Sequence, residues 1–267
     1  MSSNNLTSNS KGVLVVGALG KMGVCVREAL TQEPRLHLSV GLERPGYEEE
    51  AEVPSFTLTS DAEQALESAD VVIDFSVPDA SLALVRLCAA RGIPSVIGTT
   101  GFSEAQRAEI SSAAQSIPIV LAPNFSVAVN VLGHLTERAS ELMGDDYDAE
   151  IMEIHHGAKR DAPSGTALWL GERVAAGRAQ ELAKQACYTR HGEIGARPEG
   201  EIGLQTLRGG DVAGEHTIYF FGDGERLELT HRASTRNHFA RGAVRAATWV
   251  VDQANGLYGM DRVLGLD

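Results

Sequence analysis

KGVLVVGALGKMGVCVREAL, residues 11–30, is the stretch of sequence that decides the fold. Residues 11–18 form a short apolar run rich in valine, as expected of a β-strand buried on both faces. A glycine turn follows. The next segment has apolar residues at helical spacing, and Pro34 bounds it. The stretch therefore predicts a strand, a tight turn and a helix.

The same alternation continues along the chain as far as Asn124. Further strands are predicted at residues 36–43, 71–76, 94–100 and 118–124, and helices at 61–68, 79–92 and 103–115. Continuously apolar strands that alternate with helices predict a parallel sheet covered on both faces. The first half of the chain is therefore predicted to be an α/β, Rossmann-like domain.

The pattern changes after Asn124. A long helix is predicted over residues 126–143, then a strand at 148–154, a polar loop, and a second helix reaching about Ala186. Residues 193–234 have the pattern of strands and hairpins, which predicts an antiparallel or mixed sheet. A final amphipathic helix is predicted at residues 239–254.

These patterns predict an α/β chain with two domains. We expect a disordered tail at residues 1–10, a dinucleotide-binding domain at 11–126 completed by 236–267, and a substrate-binding and oligomerisation domain of α+β type with a mixed sheet at 127–235. The last helix is expected to return to the first domain, with hinges near Ser126 and Arg236 that let the domains close on a substrate.

Composition limits the possible partners. The formal net charge of the 267 residues is −13, which disfavours nucleic acid and anionic membranes as partners. No apolar run is long enough to span a bilayer. The three cysteines are far apart and have no metal-binding spacing, as expected of free thiols in the reducing cytoplasm. An anionic ligand would need a locally positive site.

The glycine turn reads Gly17-Ala-Leu-Gly20-Lys-Met-Gly23. Taken alone, such a cluster is as typical of a plain turn as of a phosphate site. Its position between a buried strand and a helix favours pyrophosphate binding, and Glu43 stands where the ribose hydroxyls are bound in dinucleotide sites. Arg44 suits a 2′-phosphate, so the pair suggests use of both NADH and NADPH; a solvated surface charge is an equally good interpretation of Arg44.

EIHHGAKRDAPSGT, residues 153–166, holds the densest group of chemically active side chains. It combines two adjacent histidines, two cations and a Ser-Gly-Thr sequence that opens a helix. A polar surface loop with Ser164 as a helix N-cap explains any single residue but not the combination. A zinc site is less well supported, because adjacent histidines point in different directions and no further ligand stands at a familiar spacing.

The chemistry that suits this combination is proton transfer to an acidic substrate. A histidine such as His155 exchanges protons near neutral pH, and Lys159 is a point cation suited to a carboxylate or a developing negative charge. The backbone N–H groups of Gly165 and Thr166 can bind a carboxylate.

Together with residues 167–168, this segment closely resembles the substrate motif E-x-H-H-x-x-K-x-D-x-P-S-G-T-A of the 4-hydroxy-tetrahydrodipicolinate reductase family of lysine and diaminopimelate biosynthesis. The resemblance extends over nearly the whole chain after the tail. It includes VGALGKMG, DFS, GTTG, APNFSVAVN, RGGDVAGEHTIYF and THRASTRNHFARGAVRAA.

The resemblance implies a reaction and a set of site residues. The reaction reduces 4-hydroxy-tetrahydrodipicolinate to tetrahydrodipicolinate with loss of water, using NADH, NADPH or both. His155 would be the proton donor and acceptor and Lys159 a second donor, while His156, Gly165 and Thr166 would bind the dicarboxylate. A homotetramer joined through the second-domain sheets is also implied. The implied cofactor contacts are Gly17, Ala18, Leu19, Gly20, Lys21, Met22, Glu43, Arg44, Gly98, Thr99, Thr100, Ala122, Pro123, Asn124 and Phe125.

Two other functions are compatible with the residues alone. A different reductase, such as an amino-acid dehydrogenase that acts on a dicarboxylate, would also use Lys159 and the Ser-Gly-Thr turn. A nucleotide-sensing binding protein would need only the first domain, because such a domain shows binding and not chemistry. The pairing of His155 with Lys159 argues against a sensor.

Overall fold

The computed structural model describes residues 10–47 and 56–266. Nine of the ten residues expected to form a disordered tail lie outside these ranges, while the Ser10 hydroxyl is hydrogen-bonded to His37 Nδ1 (3.0 Å). The chain divides into two compact units, residues 1–127 with 236–267, and residues 128–235.

The first unit is built on a seven-stranded parallel sheet in the order β12-β6-β5-β4-β1-β2-β3. Its strands, numbered in chain order, are β1 Lys11–Val16, β2 Leu36–Leu42, β3 Leu58–Thr59, β4 Val71–Asp74, β5 Ser95–Ile97, β6 Pro118–Leu121 and β12 Gly256–Tyr258. Its helices are α1 Lys21–Leu30, α2 Ala62–Leu66, α3 Pro78–Arg91, α4 Glu104–Ala113, α8 Asn237–Val250 and α9 Met260–Leu264.

Both faces of this sheet are covered, as the apolar strands require. On one face α1 packs beside α8, whose small residues allow close approach. At Gly242 an ideal Cβ would lie 1.7 Å from the carbonyl oxygen of Phe125, so this contact requires glycine. Helix α8, which covers most of the final helix predicted from the sequence, thus belongs to the first unit.

The second unit holds a five-stranded mixed sheet in the order β11-β10-β7-β9-β8. Central strand β7 pairs parallel with β9 and antiparallel with β10. The strands are β7 Asp148–His155, β8 Ala186–Cys187, β9 Ile202–Arg208, β10 Gly214–Phe221 and β11 Arg226–Ala233, and the helices are α5 Val127–Met143, α6 Gly165–Gly177 and α7 Leu182–Gln185. The predicted fold class, a Rossmann-like parallel sheet plus an α+β part with a mixed sheet, is confirmed.

The prediction of one helix reaching Ala186 was wrong. Helix α6 ends at Gly177, where an ideal Cβ would lie 2.4 Å from the Glu137 carbonyl oxygen of α5. Two residues later Ala179 has a positive φ of 54°, which breaks the helical path before α7. The short strands β3, β8 and β12 were not predicted, because two or three residues carry no periodicity.

Candidate active site

The glycine turn of the first unit is tight and closely packed. Gly17 follows β1 with a φ of +64°, and its carbonyl oxygen accepts the Gly20 N–H (2.9 Å). An ideal Cβ at Gly23 would lie 2.1 Å from that oxygen, so only glycine lets the first turn of α1 approach the loop. The start of α1 therefore lies directly behind the turn, as pyrophosphate binding at a helix N-terminus requires.

Glu43 and the glycine turn are directly connected. The Leu19 N–H donates to Glu43 Oε1 (2.8 Å), so the acidic side chain at the end of β2 lies against the turn. The next residue, Arg44, is exposed and places its guanidinium 4.7 Å from the centre of the Tyr47 ring. The sequence predicted both residues for the ribose region; their link to the turn and to Tyr47 comes from the structure.

The remaining predicted cofactor residues follow β5 and β6 at the carboxyl edge of the same sheet. Gly98 lies against the Phe75 ring, where an ideal Cβ would be 2.1 Å from Cε1. The Asn124 side chain accepts the Ser126 N–H (2.8 Å) and shapes the turn after β6. The structure thus gathers all predicted cofactor residues at one edge, where parallel α/β sheets bind ligands.

Burial restricts what some of these residues can contribute. The side chains of Ala18, Ala122 and Phe125 are buried in the core, and Thr99 is buried with its hydroxyl accepting from Ser81 Oγ (2.7 Å). Any cofactor contact by these residues would therefore come through the backbone. Lys21 and Thr100 are exposed.

In the second unit, the central feature is the buried carboxylate of Glu153. Every second residue in the first part of β7 is buried, and the series runs Ala149, Ile151, Glu153. The Glu153 side chain is only 1% exposed. The strand register places Thr206 of β9 and His216 of β10 beside Glu153. An acidic side chain at a core position must be paired to remain charged.

Five hydrogen bonds reach this carboxylate. Arg208 binds it in a bidentate manner, with Nη2 donating to Oε1 (2.7 Å) and Nη1 to Oε2 (2.8 Å). Oε1 also accepts the Ser164 N–H (3.0 Å) and the Thr206 hydroxyl (3.2 Å), and Oε2 is bonded to His155 Nδ1 (2.5 Å). Burial alone would raise the pKa of Glu153, but the bonds from Arg208, His155 and Ser164 outweigh it and lower that pKa.

His155 ends β7 and lies on the same face as Glu153, because strand side chains alternate. Burial lowers the pKa of His155, and the bond and charge of Glu153 oppose that effect. Gly214 lies beside the other ring nitrogen, since an ideal Cβ at Gly214 would be 3.0 Å from His155 Nε2. Glycine at residue 214 therefore lets the backbone at the start of β10 lie close to Nε2.

A second buried histidine, His216, packs edge-on against His155 with ring centres 5.2 Å apart. Its Nε2 is hydrogen-bonded to the Ser164 hydroxyl (3.1 Å), which also accepts the Ala167 N–H (3.1 Å) and so caps α6. Burial lowers the pKa of His216 to about 3, and the neighbouring His155 contributes in the same direction. His216 is therefore neutral at physiological pH.

The predicted substrate residues lie on the loop after β7 and in the first turn of α6. The His156 N–H donates to the Val212 carbonyl (2.8 Å). Lys159 Nζ pairs with Asp161 Oδ1 (2.9 Å), and that bond lowers the pKa of Asp161. Gly165 and Thr166 open α6, where backbone N–H groups point outward from the helix end.

Gly165 also has room beside it. An ideal Cβ there would meet no atom of the described chain within 4 Å. Because Glu153 binds both His155 and the Ser164 N–H, it ties the predicted proton donor to the start of α6.

Sequence reasoning missed Arg208 and His216, and it gave Ser164 only a capping role. The two missed side chains come from β9 and β10, more than 50 residues beyond Glu153, and only the strand register brings them to it. The role of Glu153 carried a signal in the sequence, because it stands two residues before His155 in a predicted strand.

Within the part of the chain that the structure describes, no group of three or more His, Cys, Asp or Glu residues is placed to hold a metal ion. Among the helices of residues 10–47 and 56–266, none has the length and apolar character needed to cross a membrane.

Comparison with known protein families gives matches over almost the whole chain. Residues 11–125 match the family model of the dihydrodipicolinate reductase N-terminus, and residues 128–264 match that of its C-terminus. Among solved structures, dipicolinate-bound dihydrodipicolinate reductase from Paenisporosarcina sp. TG-14 has a TM-score of 0.79 at 23% identity, covering 94% of this chain and 97% of that one. The diaminopimelate dehydrogenase of C. glutamicum shares the fold less closely, with a TM-score of 0.57 at 12% identity over 96% of each chain.

Sequence relatives are much closer than these structures. The 4-hydroxy-tetrahydrodipicolinate reductase of Anaeromyxobacter sp. (strain Fw109-5) is 50% identical over 261 residues, covering 95% of this chain and 97% of that protein. The enzyme of the same name from Magnetococcus marinus is 49% identical over 260 residues, covering 94% and 97%. The chain therefore belongs to the dihydrodipicolinate reductase family of NAD(P)H-dependent oxidoreductases, as the motif in residues 153–168 indicated.

Proposed function

We propose that this protein reduces 4-hydroxy-tetrahydrodipicolinate to tetrahydrodipicolinate with loss of water, in lysine and diaminopimelate biosynthesis. The observation that carries the proposal is the arrangement around Glu153, in which one buried carboxylate binds both His155 and the start of α6. A proton-transfer group and a carboxylate-binding helix end are thereby fixed together, as reduction of a dicarboxylate requires.

The substrate-binding residues are proposed to be His156, Gly165 and Thr166. The outward-pointing N–H groups at the start of α6 suit a carboxylate, because the N-terminus of a helix carries a partial positive charge. Lys159 adds a full positive charge in a protein whose net charge is −13. Lys159 is paired with Asp161, whose side chain is exposed. A substrate carboxylate can therefore replace Asp161 at little cost.

The reaction takes up one proton in addition to the hydride, and we assign that proton to His155. The bound nicotinamide supplies the hydride. His155 donates from Nε2, the ring nitrogen that is not bonded to the Glu153 carboxylate. Lys159 acts as the second donor and stabilises negative charge that develops on the substrate.

The cofactor is proposed to bind at the carboxyl edge of the first unit. The residues fit a dinucleotide: the turn at Gly17 brings backbone close to the start of α1, and Gly23 has no space for a side chain. Glu43 Oε1 already accepts the Leu19 N–H, which leaves Oε2 for a ribose hydroxyl.

We propose that both NADH and NADPH serve as cofactor. The exposed Arg44, next to Glu43, supplies a guanidinium for a 2′-phosphate. Arg44→Ala is expected to raise the KM for NADPH about tenfold or more and to leave the KM for NADH within about twofold. An equal change in both values would contradict this role of Arg44.

Steady-state assays test the reaction itself. Freshly generated 4-hydroxy-tetrahydrodipicolinate is added to the protein with NADH or NADPH, and oxidation of the cofactor is followed for the native chain, His155→Ala and Lys159→Ala. Each variant is expected to lose about 10²-fold or more in kcat. Undiminished turnover in both would sink the assignment. Turnover of an amino dicarboxylate instead would favour the dehydrogenase alternative, and cofactor binding without any turnover would favour a sensor.

A homotetramer in the cytoplasm is also proposed. It rests on the resemblance in the second-domain sequence, and light scattering of the purified chain measures it. A mass of a monomer or dimer at micromolar concentration would contradict the tetramer.

A further inference from the structure

We propose that Glu153, held by Arg208, is a positioning residue that keeps the hydrogen of the neutral His155 ring on Nδ1 and so makes Nε2 the proton-exchanging atom. The role of His155 itself rests on the proposed function. Which nitrogen carries the hydrogen is a separate property of the folded protein.

The first step is the charge state of Glu153. Its side chain is 1% exposed, yet both oxygens accept from the Arg208 guanidinium, and Oε1 accepts two more donors from Ser164 and Thr206. Such a set of donors favours the ionised form. An ionised carboxylate can only accept hydrogen bonds. His155 Nδ1, bonded to Oε2, must therefore be the donor.

The second step is the state of Nε2. A neutral imidazole carries one hydrogen, so a hydrogen on Nδ1 leaves Nε2 bare and able to take a proton. After Nε2 gives its proton to the substrate, the other hydrogen stays on Nδ1, donated to the Glu153 carboxylate, and Nε2 regains a proton from solvent. Nε2 lies near Gly214, whereas Nδ1 is bonded to the buried carboxylate.

Several charged or titratable groups act on His155. Glu153 favours its protonated form, while Arg208 of β9 and Lys159 of the following loop disfavour it. His216 of β10 packs against the ring and is neutral above pH about 3. Glu153 is thus the group that supports the imidazolium needed for proton donation.

Glu153→Gln gives a sharp test, because the donor pattern fixes how a glutamine would sit. Three donors converge on Oε1, from Ser164, Thr206 and Arg208 Nη2, whereas Oε2 faces only Arg208 Nη1 besides His155, so the amide oxygen belongs on the Oε1 side. The amide NH₂ then faces His155 Nδ1 and donates to it. The hydrogen of His155 is expected to move to Nε2, which can then no longer accept a proton.

The matched control is Glu150→Gln. Glu150 stands three residues earlier on β7 and is also held by a bidentate arginine, Arg190 (2.6 and 2.8 Å), but its side chain lies on the other face of the strand. Glu150→Gln removes the same charge from the same strand without touching His155. Glu153→Asp is the conservative variant, since it keeps the charge at a shorter reach.

The experiment is ¹⁵N NMR of the ring nitrogens in the full chain labelled at histidine, with His155 assigned by comparison with His155→Ala. We expect a protonated Nδ1 in the native chain, Glu150→Gln and Glu153→Asp, and a protonated Nε2 in Glu153→Gln. We also expect kcat of Glu153→Gln to fall about 10²- to 10⁴-fold, with KM within about threefold and the pH profile moved to lower pH. Glu153→Asp should recover at least tenfold of that loss.

Three outcomes would overturn the proposal. They are a native His155 with its hydrogen on Nε2, a Glu153→Gln variant with the native tautomer and native pH profile, or the same changes in Glu150→Gln. If Glu153→Gln does not fold, the tautomers of His155 in the native chain and in Glu153→Asp still decide the matter. Full turnover in His155→Ala would refute the assigned proton donor and leave the tautomer result intact.

Discussion

Arg208→Met should destabilise the second unit strongly. It removes two charge-assisted bonds from the Glu153 carboxylate and one from the Asp161 carbonyl (2.7 Å), and it leaves the buried charge with weaker partners. Breaking a buried ion pair on one side costs about 3–5 kcal/mol. Glu153 retains the donors from His155, Ser164 and Thr206. We therefore expect a loss at the lower end of this range, about 3 kcal/mol in the free energy of unfolding at pH 7.

The pH dependence of this loss has a definite sign. In the native chain the pKa of Glu153 lies below its ordinary value of 4.5, so its contribution to stability is present above that pH and is lost as the pH falls through the lowered pKa. In Arg208→Met, burial raises the pKa of Glu153 without the arginine to oppose it. The contribution of Glu153 to stability therefore disappears. The difference in stability between native chain and variant should therefore shrink below about pH 4.5.

Urea unfolding at several pH values measures both effects. Glu153→Gln/Arg208→Met should be more stable than Arg208→Met alone, because no unpaired charge remains. Arg190→Met is the control: its partners Glu150 and Glu201 have side chains 16–17% exposed, so we expect a smaller loss of about 1–2 kcal/mol. A loss below 1 kcal/mol in Arg208→Met, or no recovery in the double variant, would refute the reasoning.

Three further predictions follow from His216, Gly165 and Gly214. Because burial lowers the pKa of His216 to about 3, the unfolded chain binds a proton there between pH 6.5 and 3 that the folded chain does not. The free energy of unfolding of the native chain should therefore fall on acidification by up to about 1.4 kcal/mol per pH unit. In parallel urea titrations it should fall more steeply than that of His216→Gln. Equal slopes for the two chains would contradict this prediction. Gly165→Ala should keep the native melting temperature within about 2 °C, because the added Cβ meets open space. The same variant should raise the KM for substrate several-fold. An unchanged KM would show that Gly165 is not part of the substrate site. Gly214→Ala should lower kcat, because the added Cβ would lie 3.0 Å from His155 Nε2. It should also lower the melting temperature, because residue 214 has a φ of +154° that disfavours side chains. Native kcat in a folded variant would show that Nε2 is approached from another side.

The buried carboxylate of Glu153 performs two tasks with one group. It fixes the ring of His155, and it accepts the N–H of Ser164, the residue that caps α6. Such rigid support by residues behind the site is what holds a proton donor and a substrate-binding helix end in register. The stability tests of Arg208 and the tautomer test of Glu153 therefore probe the same cluster by independent measurements.

Much of this protein could be read from the sequence, because the determining interactions are local. The apolar run before Gly17 and the spacing of Gly17, Gly20 and Gly23 predict strand, turn and helix from neighbouring residues alone. The motif in residues 153–166 names His155 and Lys159 without any structure. The extension of α6 to Ala186 failed because the helix ends at Gly177 and Ala179 takes a positive φ, and an alanine at that position gives no helix-stop signal in the sequence.

Only the tertiary structure decided the surroundings of His155. Glu153, Arg208 and His216 meet because β9 pairs parallel and β10 antiparallel with β7 at one particular register, and a shift by one residue would turn each side chain to the other face. A glutamate in a strand pattern does not reveal whether it is exposed or buried and paired. The sequence by itself therefore determined the longer strands and helices, and it predicted site residues such as His155 and Lys159. The charge state, partners and orientation of those residues depend on contacts between segments more than 50 residues apart, which only the folded chain brings together.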